Sequence, residues 1–487
     1  VIVEDPCALV RAEFRDHTPN NEGASSHMGV YTTVNPATGE QLAEFPEITN
    51  KEAREALDRA AEAYPQWRDR GLQERVALVK RIAALHREQR EELAALITLE
   101  MGKPIVQARG EVDLVANIYD YYADRAEQFL ADEVLDISGP GTAIVKTEPV
   151  GVLVGIMPWN YPYYQVARFA APNLILGNTI LLKHARNCPQ SALAIERVFR
   201  EAGLPDGVYA NVFANNGQIA EMIADPRVQG VSLTGSERAG SAVGEVAGRH
   251  MKKYVLELGG SDPFIVLDDA DLDAAAAAAA VGRFANGGQA CTASKRFIVL
   301  DAVYDAFLEK FIEQSRAYAT GDPSSDETKL GPLSSTAARH DLVELVDDAI
   351  DRGAKVHLGG EAPDAPGAYY PATVLSGVTK DMRAYAEELF GPAAVVHRAA
   401  SEEEAVQIAN DSPFGLGGTV FSGDLERAQR VADRIETGMV WINSTSKTAP
   451  DLPFGGVKAS GVGRELAHYG INEFANKKLV RVPEATK

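Results

Sequence analysis

From Thr142 the chain alternates short apolar strands with helical stretches, and this rhythm limits the fold more than any other feature. TAIVKTEPVGVLVGIMP (142–158) is β-rich; TILLK (179–183), VYANVF (208–213), VQGVSLTGS (228–236) and YVLELGG (254–260) follow, with helical segments between them. Parallel strands need long crossovers, and helices packed on both sheet faces supply them. The pattern predicts an α/β protein with a doubly wound parallel sheet. A second α/β region begins near Ser261 with FIVL (264–267), an alanine-rich helix, RFIVL (296–300), helices from 302 to 353, AKVHLGG (354–360) and VVHRA (395–399). Upstream, NKEAREALDRAAEAYPQW (50–67) has apolar residues at helical spacing with Asn50 as the expected cap, and Ala- and Glu-rich helices continue to about residue 133. Residues 1–28 show no period and read as a disordered tail or an appended segment.

A chain of 487 residues exceeds a single core, so two or three domains are expected. The formal charge of −21 disfavours nucleic acid, because a polyanion would be repelled. A carboxylate-rich surface suits either a high-salt habitat or an ordinary acidic enzyme. No apolar run is long enough to predict a membrane span, and no secretory leader is recognisable. The cysteines at 7, 188 and 291 lack metal-ligand spacing and the nine histidines form no paired cluster, so no metal is expected. These features fit a cytoplasmic enzyme in a reducing compartment.

Several short strings carry chemistry. PWNYP (158–162) follows the strand VLVGI, where sheets of this kind open into a ligand crevice. Trp159 offers an apolar wall and Asn160 a neutral donor suited to an oxyanion. In LTGSERAG (233–240), Gly235 and Ser236 stand at a strand-to-helix joint where backbone N–H groups can hold a pyrophosphate. LELGGSDPFIV (256–266) places Glu257, a candidate general base, 34 residues before Cys291, which leaves room for one strand and one helix between them. Cys291 lies in FANGGQACTAS (284–294). Taken alone it reads as a small buried apolar residue sooner than as a nucleophile.

Taken together, PWN, LLK, TGS, ELGG, GQAC, EELFGP (387–392) and PFGGVKASGVGRE (453–465), in that order, resemble the aldehyde dehydrogenase superfamily over about Val34 to Lys478. MPWN, LLKHA, LELGGSDPFIV and ASKRFIV are similar to its bacterial succinate-semialdehyde dehydrogenase branch. The resemblance implies two Rossmann-like α/β domains and a β oligomerisation arm. It places an NAD(P)-binding domain at 29–257 with oligomerisation strands near 135–147, a catalytic domain at 258–443, and a C-terminal return segment and arm at 444–487. A homodimer or homotetramer is implied.

The resemblance also implies the chemistry: NAD(P)+-dependent oxidation of an aldehyde to an acid through a cysteine thiohemiacetal and thioester. Cys291 would attack the aldehyde, Asn160 and the Cys291 N–H would hold the oxyanion, and Glu257 would activate the hydrolytic water. Trp159, Lys183, Arg186, Gly235, Ser236, Leu258, Glu388 and Phe390 would bind the cofactor. Many NAD-preferring relatives carry Glu where this chain has Arg186, and a guanidinium there suits a 2′-phosphate. NADP is therefore favoured over NAD. Arg168 and Ser446 would bind the distal carboxylate of succinate semialdehyde. Some succinate-semialdehyde enzymes carry a second arginine where this chain has Ala285, so 2-oxoglutarate semialdehyde or a general aliphatic aldehyde stays open. Gly287 and Gly288 are expected to let the nicotinamide and the sulfur trade places in one narrow site.

Overall fold

The computed structural model describes residues 29–483, so the expectation for residues 1–28 lies outside the described residues. Two parallel sheets dominate it. The first has six strands in the spatial order Gly461–Val462, Lys253–Glu257, Val228–Thr234, Val152–Met157, Thr179–His184, Tyr209–Asn211. All pair in parallel except Gly461–Val462. The chain enters at Val152–Met157, builds outward on one side, then returns to build on the other. That reversal leaves a crevice at the strand's C-terminal end, where such sheets bind ligands. Trp159 and Asn160 come directly after it.

The second sheet has seven strands, ordered Lys355–Leu358, Thr373–Ser376, Ala393–Ala399, Ser294–Leu300, Asp262–Val266, Thr419–Phe421, Trp441–Ile442. Lys355–Leu358 alone pairs antiparallel. Residues 258–261 run straight from the last parallel strand of the first sheet into Asp262–Val266. The C-terminal ends of the first sheet therefore face the N-terminal ends of the second. Strands such as Asp262–Val266 and Ser294–Leu300 are buried along their whole length, as strands covered by helices on both faces must be.

A third sheet is antiparallel, ordered Ala475–Val482, Thr142–Pro149, Glu133–Val134. It differs from the expected arm in that 135–141 is not strand; a helix, Ala467–Glu473, precedes the final strand. Leu479, Val482 and Val134 are exposed on it. The first long helix starts at Asn50, but Thr49 is its cap and forms a reciprocal capping box with Glu52. Thr carries the hydroxyl acceptor and Glu stands at the third helical position, which is the pairing that box needs. The region 302–353 holds two helices, Tyr304–Arg316 and Thr336–Asp351, with a turn-rich link between them.

Candidate active site

The Cys291 loop is set between the helix Leu272–Phe284 and the strand Ser294–Leu300. Asp271 caps the helix by accepting from Asp273 N and Ala274 N, and seven alanines let it pack closely beneath the second sheet. Its end is sharp: Asn286, Gly287 and Gly288 all take positive φ, at 53°, 63° and 71°. A Cβ on Gly288 would stand 2.4 Å from the Gly391 carbonyl oxygen and 2.6 Å from an Arg283 nitrogen. The glycines are thus required by backbone conformation and close approach.

Asn160 reaches this loop from the first sheet. Its Nδ2 donates to the Gln289 carbonyl at 3.1 Å, which leaves one amide hydrogen for a ligand, and its Oδ1 is buried without a partner. Two side chains that sequence reasoning missed hold its backbone. Lys103 Nζ donates to the Asn160 carbonyl at 2.9 Å and Asn286 Nδ2 donates to it at 3.0 Å. Lys103 in turn forms a fully buried ion pair with Glu111, and Glu111 Oε1 accepts from Tyr163 N and Tyr164 N at the start of the helix Pro162–Leu176. Neither Lys103 nor Glu111 lies in a recognisable motif, so only the folded chain brings them together.

Glu257 ends the strand Lys253–Glu257 and is buried with both carboxylate oxygens unpartnered. A Cβ on Gly455 would stand 2.7 Å from its Oε1, so the glycines of PFGG make space for this carboxylate. Burial holds the Glu257 carboxyl well above the usual carboxylate range, while Arg168 opposes that shift. Cys291 keeps partial solvent access, yet burial pushes its thiol up to about 12 against the pull of Arg168 and Lys295. The nucleophile candidate and the base candidate are both favoured in their protonated forms at neutral pH.

Cys291 opens onto a cavity of about 260 Å³. Tyr161, Tyr164, Gln165, Val281, Ala285 and Phe454 form much of its wall, and Thr445, Ser446, Lys447 and Thr448 contribute polar groups. Ser446 Oγ also donates to the Thr292 carbonyl at 3.3 Å. Arg168 is not part of this wall. Its guanidinium forms a buried ion pair with Glu465, donates to Thr234 Oγ1 at 3.0 Å and to Tyr164 Oη at 3.2 Å, and packs 4.3 Å from the Phe454 ring centre. The expected direct contact with a substrate carboxylate is corrected to a position one side chain behind the wall. Glu465 already claims the charge, which reading one residue at a time had no means to foresee.

On the other side of Cys291 lies the crevice of the first sheet. Trp159 and Phe390 meet edge to face with ring centres 5.7 Å apart. Glu388 accepts from Gly260 N at 3.1 Å and pairs with Lys295 at 2.9 Å. Ser236 is exposed and caps the helix Glu237–Arg249 by accepting from Ala239 N, and a helix start leaves its other first-turn N–H groups without intrahelical partners. Gly235 differs from expectation, because its N–H is already spent on the Glu257 carbonyl at 3.0 Å. Leu258 packs into the helix at Gly240, where a Cβ would stand 2.6 Å from its methyl groups. Lys183 and Arg186 flank Tyr31, at 5.9 and 5.6 Å from the ring centre, and Arg186 pairs with Glu47. Burial and the neighbouring Arg186 lower the Lys183 ammonium to about 8. An exposed helix N-terminus, two cations and an aromatic pair along one crevice fit a dinucleotide that carries phosphates at one end and a planar ring at the other.

The aldehyde dehydrogenase family profile matches residues 24–480. The chain belongs to the aldehyde dehydrogenase family. It is 56% identical over 451 residues to succinate-semialdehyde dehydrogenase [NADP(+)] of Deinococcus radiodurans, covering 93% of this chain and 94% of that protein. It is 45% identical to succinate-semialdehyde dehydrogenase [NADP(+)] 1 of Mycobacterium tuberculosis, over 92% of this chain and 98% of that one. Among solved structures, succinic semialdehyde dehydrogenase from Streptococcus pyogenes, in complex with NADP+ as the cofactor, superposes with a TM-score of 0.92 at 45% identity. It covers 93% of this chain and 100% of that chain. Succinate-semialdehyde dehydrogenase from Burkholderia pseudomallei gives 0.90 at 38% identity, over 93% and 94%. Within this aldehyde dehydrogenase, the described residues hold no cluster of His, Cys, Asp or Glu able to bind a metal, and no described helix is long and apolar enough to cross a membrane.

Proposed function

We propose that this aldehyde dehydrogenase oxidises succinate semialdehyde to succinate with NADP+ as the preferred acceptor. The observation that carries the reading is the convergence of Cys291, Asn160 and Glu257 between the cavity lined by Tyr161, Tyr164 and Phe454 and the crevice of the first sheet. Trp159, Lys183, Arg186, Ser236, Glu388 and Phe390 would hold the dinucleotide, with Arg186 and Lys183 toward its adenosine ribose. The bound cofactor supplies the hydride acceptor. The Cys291 thiol gives up its proton to solvent as Sγ bonds to the aldehyde carbon, and the free Asn160 amide hydrogen with the Cys291 N–H holds the oxygen. After oxidation the acyl group sits on sulfur as a thioester. Glu257 takes a proton from the water that cleaves it, which returns the thiol and releases the acid.

The distal carboxylate meets Thr445, Ser446 and Thr448 hydroxyls with Lys447 at the exposed rim, while Arg168, neutralised by Glu465, holds Tyr164 from behind. A general aliphatic aldehyde is the second reading, favoured by the apolar wall at Val281 and Ala285. The sheet Ala475–Val482, Thr142–Pro149, Glu133–Val134 has an open edge and exposed Leu479 and Val482, which supports a homodimer or homotetramer. The deciding experiment measures reduced-cofactor formation with succinate semialdehyde, 2-oxoglutarate semialdehyde and butanal, each with NAD+ and NADP+. Turnover with succinate semialdehyde and NADP+ should have the highest kcat/KM and vanish in Cys291→Ala. A higher kcat/KM for butanal would overturn the substrate assignment.

A further inference from the structure

Two buried cations surround the Cys291 loop, and the steps above use neither. Arg283 Nη1 donates to the Ser294 carbonyl at 3.2 Å, and Nη2 to the Leu389 carbonyl at 2.9 Å and to that of Gly391. It clamps the loop to 389–391 through backbone alone. Lys295 makes a different set of contacts. Its ammonium donates to the carbonyls of Ala290, Cys291 and Ala293 at 3.0, 2.9 and 3.3 Å, and pairs with the Glu388 carboxylate at 2.9 Å. Four acceptors share three N–H donors, so any gain at one is a loss at another.

An ammonium with a side-chain exposure of 1% is costly to bury, and an apolar side chain would fill the same space without that cost. Its partners indicate what the charge is for. Three are carbonyls of the nucleophile loop. The fourth is the carboxylate that faces the cofactor crevice and also receives Gly260 N. We infer that Lys295 is a positioning residue that joins the Cys291 loop and Glu388 into one unit, so that cofactor engaged by Glu388 is felt at the Cys291 sulfur. The inference rests on the reading of Cys291 as nucleophile and Glu388 as a cofactor ligand. Physically, a hydroxyl donated to Glu388 draws the carboxylate from the ammonium, which then bonds more fully to the loop carbonyls. Its field at the sulfur is also less neutralised. The groups acting on that sulfur agree in sign: Arg168 and Lys295 favour the thiolate, Glu388 and Glu257 oppose it. Asp262, also buried, faces Lys295 from the neighbouring strand.

The test is the pH dependence of Cys291 alkylation by iodoacetamide, mapped by peptide mass, with NADP+ affinity read by fluorescence titration. Lys295→Met should slow alkylation at least tenfold at each pH from 7 to 9, where the rate follows the thiolate fraction. It should also weaken NADP+ binding. Because the two residues act as a unit, Lys295→Met/Glu388→Gln should bind NADP+ no more weakly than Glu388→Gln alone. An unchanged alkylation rate in folded Lys295→Met, or additive losses of affinity, would overturn the inference. If Lys295→Met does not fold, the double variant removes both charges together, and its alkylation must still be slower than that of Glu388→Gln. The underlying reading fails separately: Cys291→Ser retaining full turnover would refute it, while the alkylation comparison on Cys291 would remain readable.

Discussion

Arg186 gives the sharpest test of cofactor choice, because the structure shows what it must surrender to act. Its guanidinium pairs with Glu47, whose side chain is 8% exposed against 47% for the arginine. Asn215 Nδ2 also contacts Glu47, at 3.4 Å, so the carboxylate keeps a second partner if the half-exposed arginine leaves it. A 2′-phosphate approaching Lys183 must draw Arg186 away from this partner. Hydrogen bonds to charged groups contribute about 1.5–3 kcal/mol. Half exposure and the competing Glu47 put Arg186 at the lower end, about 1.5 kcal/mol, which is about tenfold in affinity. Arg186→Ala should therefore lower kcat/KM for NADP+ about tenfold and leave NAD+ within about twofold. Glu47→Gln removes the competitor and should raise kcat/KM for NADP+. Initial rates at saturating aldehyde with varied cofactor read both. The NADP+ advantage should shrink in high salt, which screens an exposed charge. It should also shrink as pH rises through about 8, where Lys183 loses its proton. Equal losses for NAD+ and NADP+ in Arg186→Ala would refute the reasoning, since only the phosphate distinguishes the two.

Three further substitutions probe the interior. Glu257→Gln should keep a single-turnover burst of reduced cofactor while steady-state turnover falls by about 10²–10⁴-fold, as stopped-flow absorbance would show. Because burial raises the Glu257 carboxyl, its base form grows as pH rises, so wild-type steady-state turnover should climb into the alkaline range and the Gln variant should stay flat. Arg168→Met strands Glu465 in the interior and should cost about 3–5 kcal/mol of stability, with losses on both succinate semialdehyde and butanal. A stable variant impaired only on the semialdehyde would instead make Arg168 a direct carboxylate ligand. Asp262 is pushed up to about 7 by burial, so the folded chain holds its proton more tightly than the unfolded one. Its contribution is favourable in acid and is lost as pH rises from the ordinary aspartate range through about 7. Asp262→Asn keeps the acceptor for Gly417 N and should flatten the fall of Tm over that interval.

The strand–helix alternation was legible because it is a one-dimensional signal, and the structure places strands at 152–157, 179–184, 228–234 and 253–257 where the apolar runs lie. The interval from Glu257 to Cys291 holds one strand and one helix, Asp262–Val266 and Leu272–Phe284, for the same reason. The buried charges were not legible. Lys103–Glu111, Arg168–Glu465 and Lys295–Glu388 join residues from separate elements, and a charged residue in a sequence is first read as a solvated one. Arg168 shows the consequence. Its position after Asn160 suggested a ligand, but its partner lies 297 residues away and is visible only once the helix Pro162–Leu176 packs against the C-terminal segment.

The same point explains why Cys291 is ambiguous in isolation. A thiol pushed up to about 12 by burial is a poor nucleophile in the free enzyme, which is what an inert core cysteine would also be. The difference lies in its surroundings. Arg168 and Lys295 each pull the thiol toward ionisation, and each is itself restrained by a carboxylate, Glu465 or Glu388. Reactivity is therefore set by how those two carboxylates divide their attention. A cofactor hydroxyl that engages Glu388 loosens its hold on Lys295 and releases positive potential toward the sulfur. A substrate carboxylate in the cavity instead adds negative charge beside the thiol, as Glu388 and Glu257 do. Alkylation of Cys291 should accordingly be faster with NADP+ than without it, and succinate should slow it in either case. A rate that falls on adding NADP+, with succinate absent, would break this account, because occupancy would then shield the thiol without activating it.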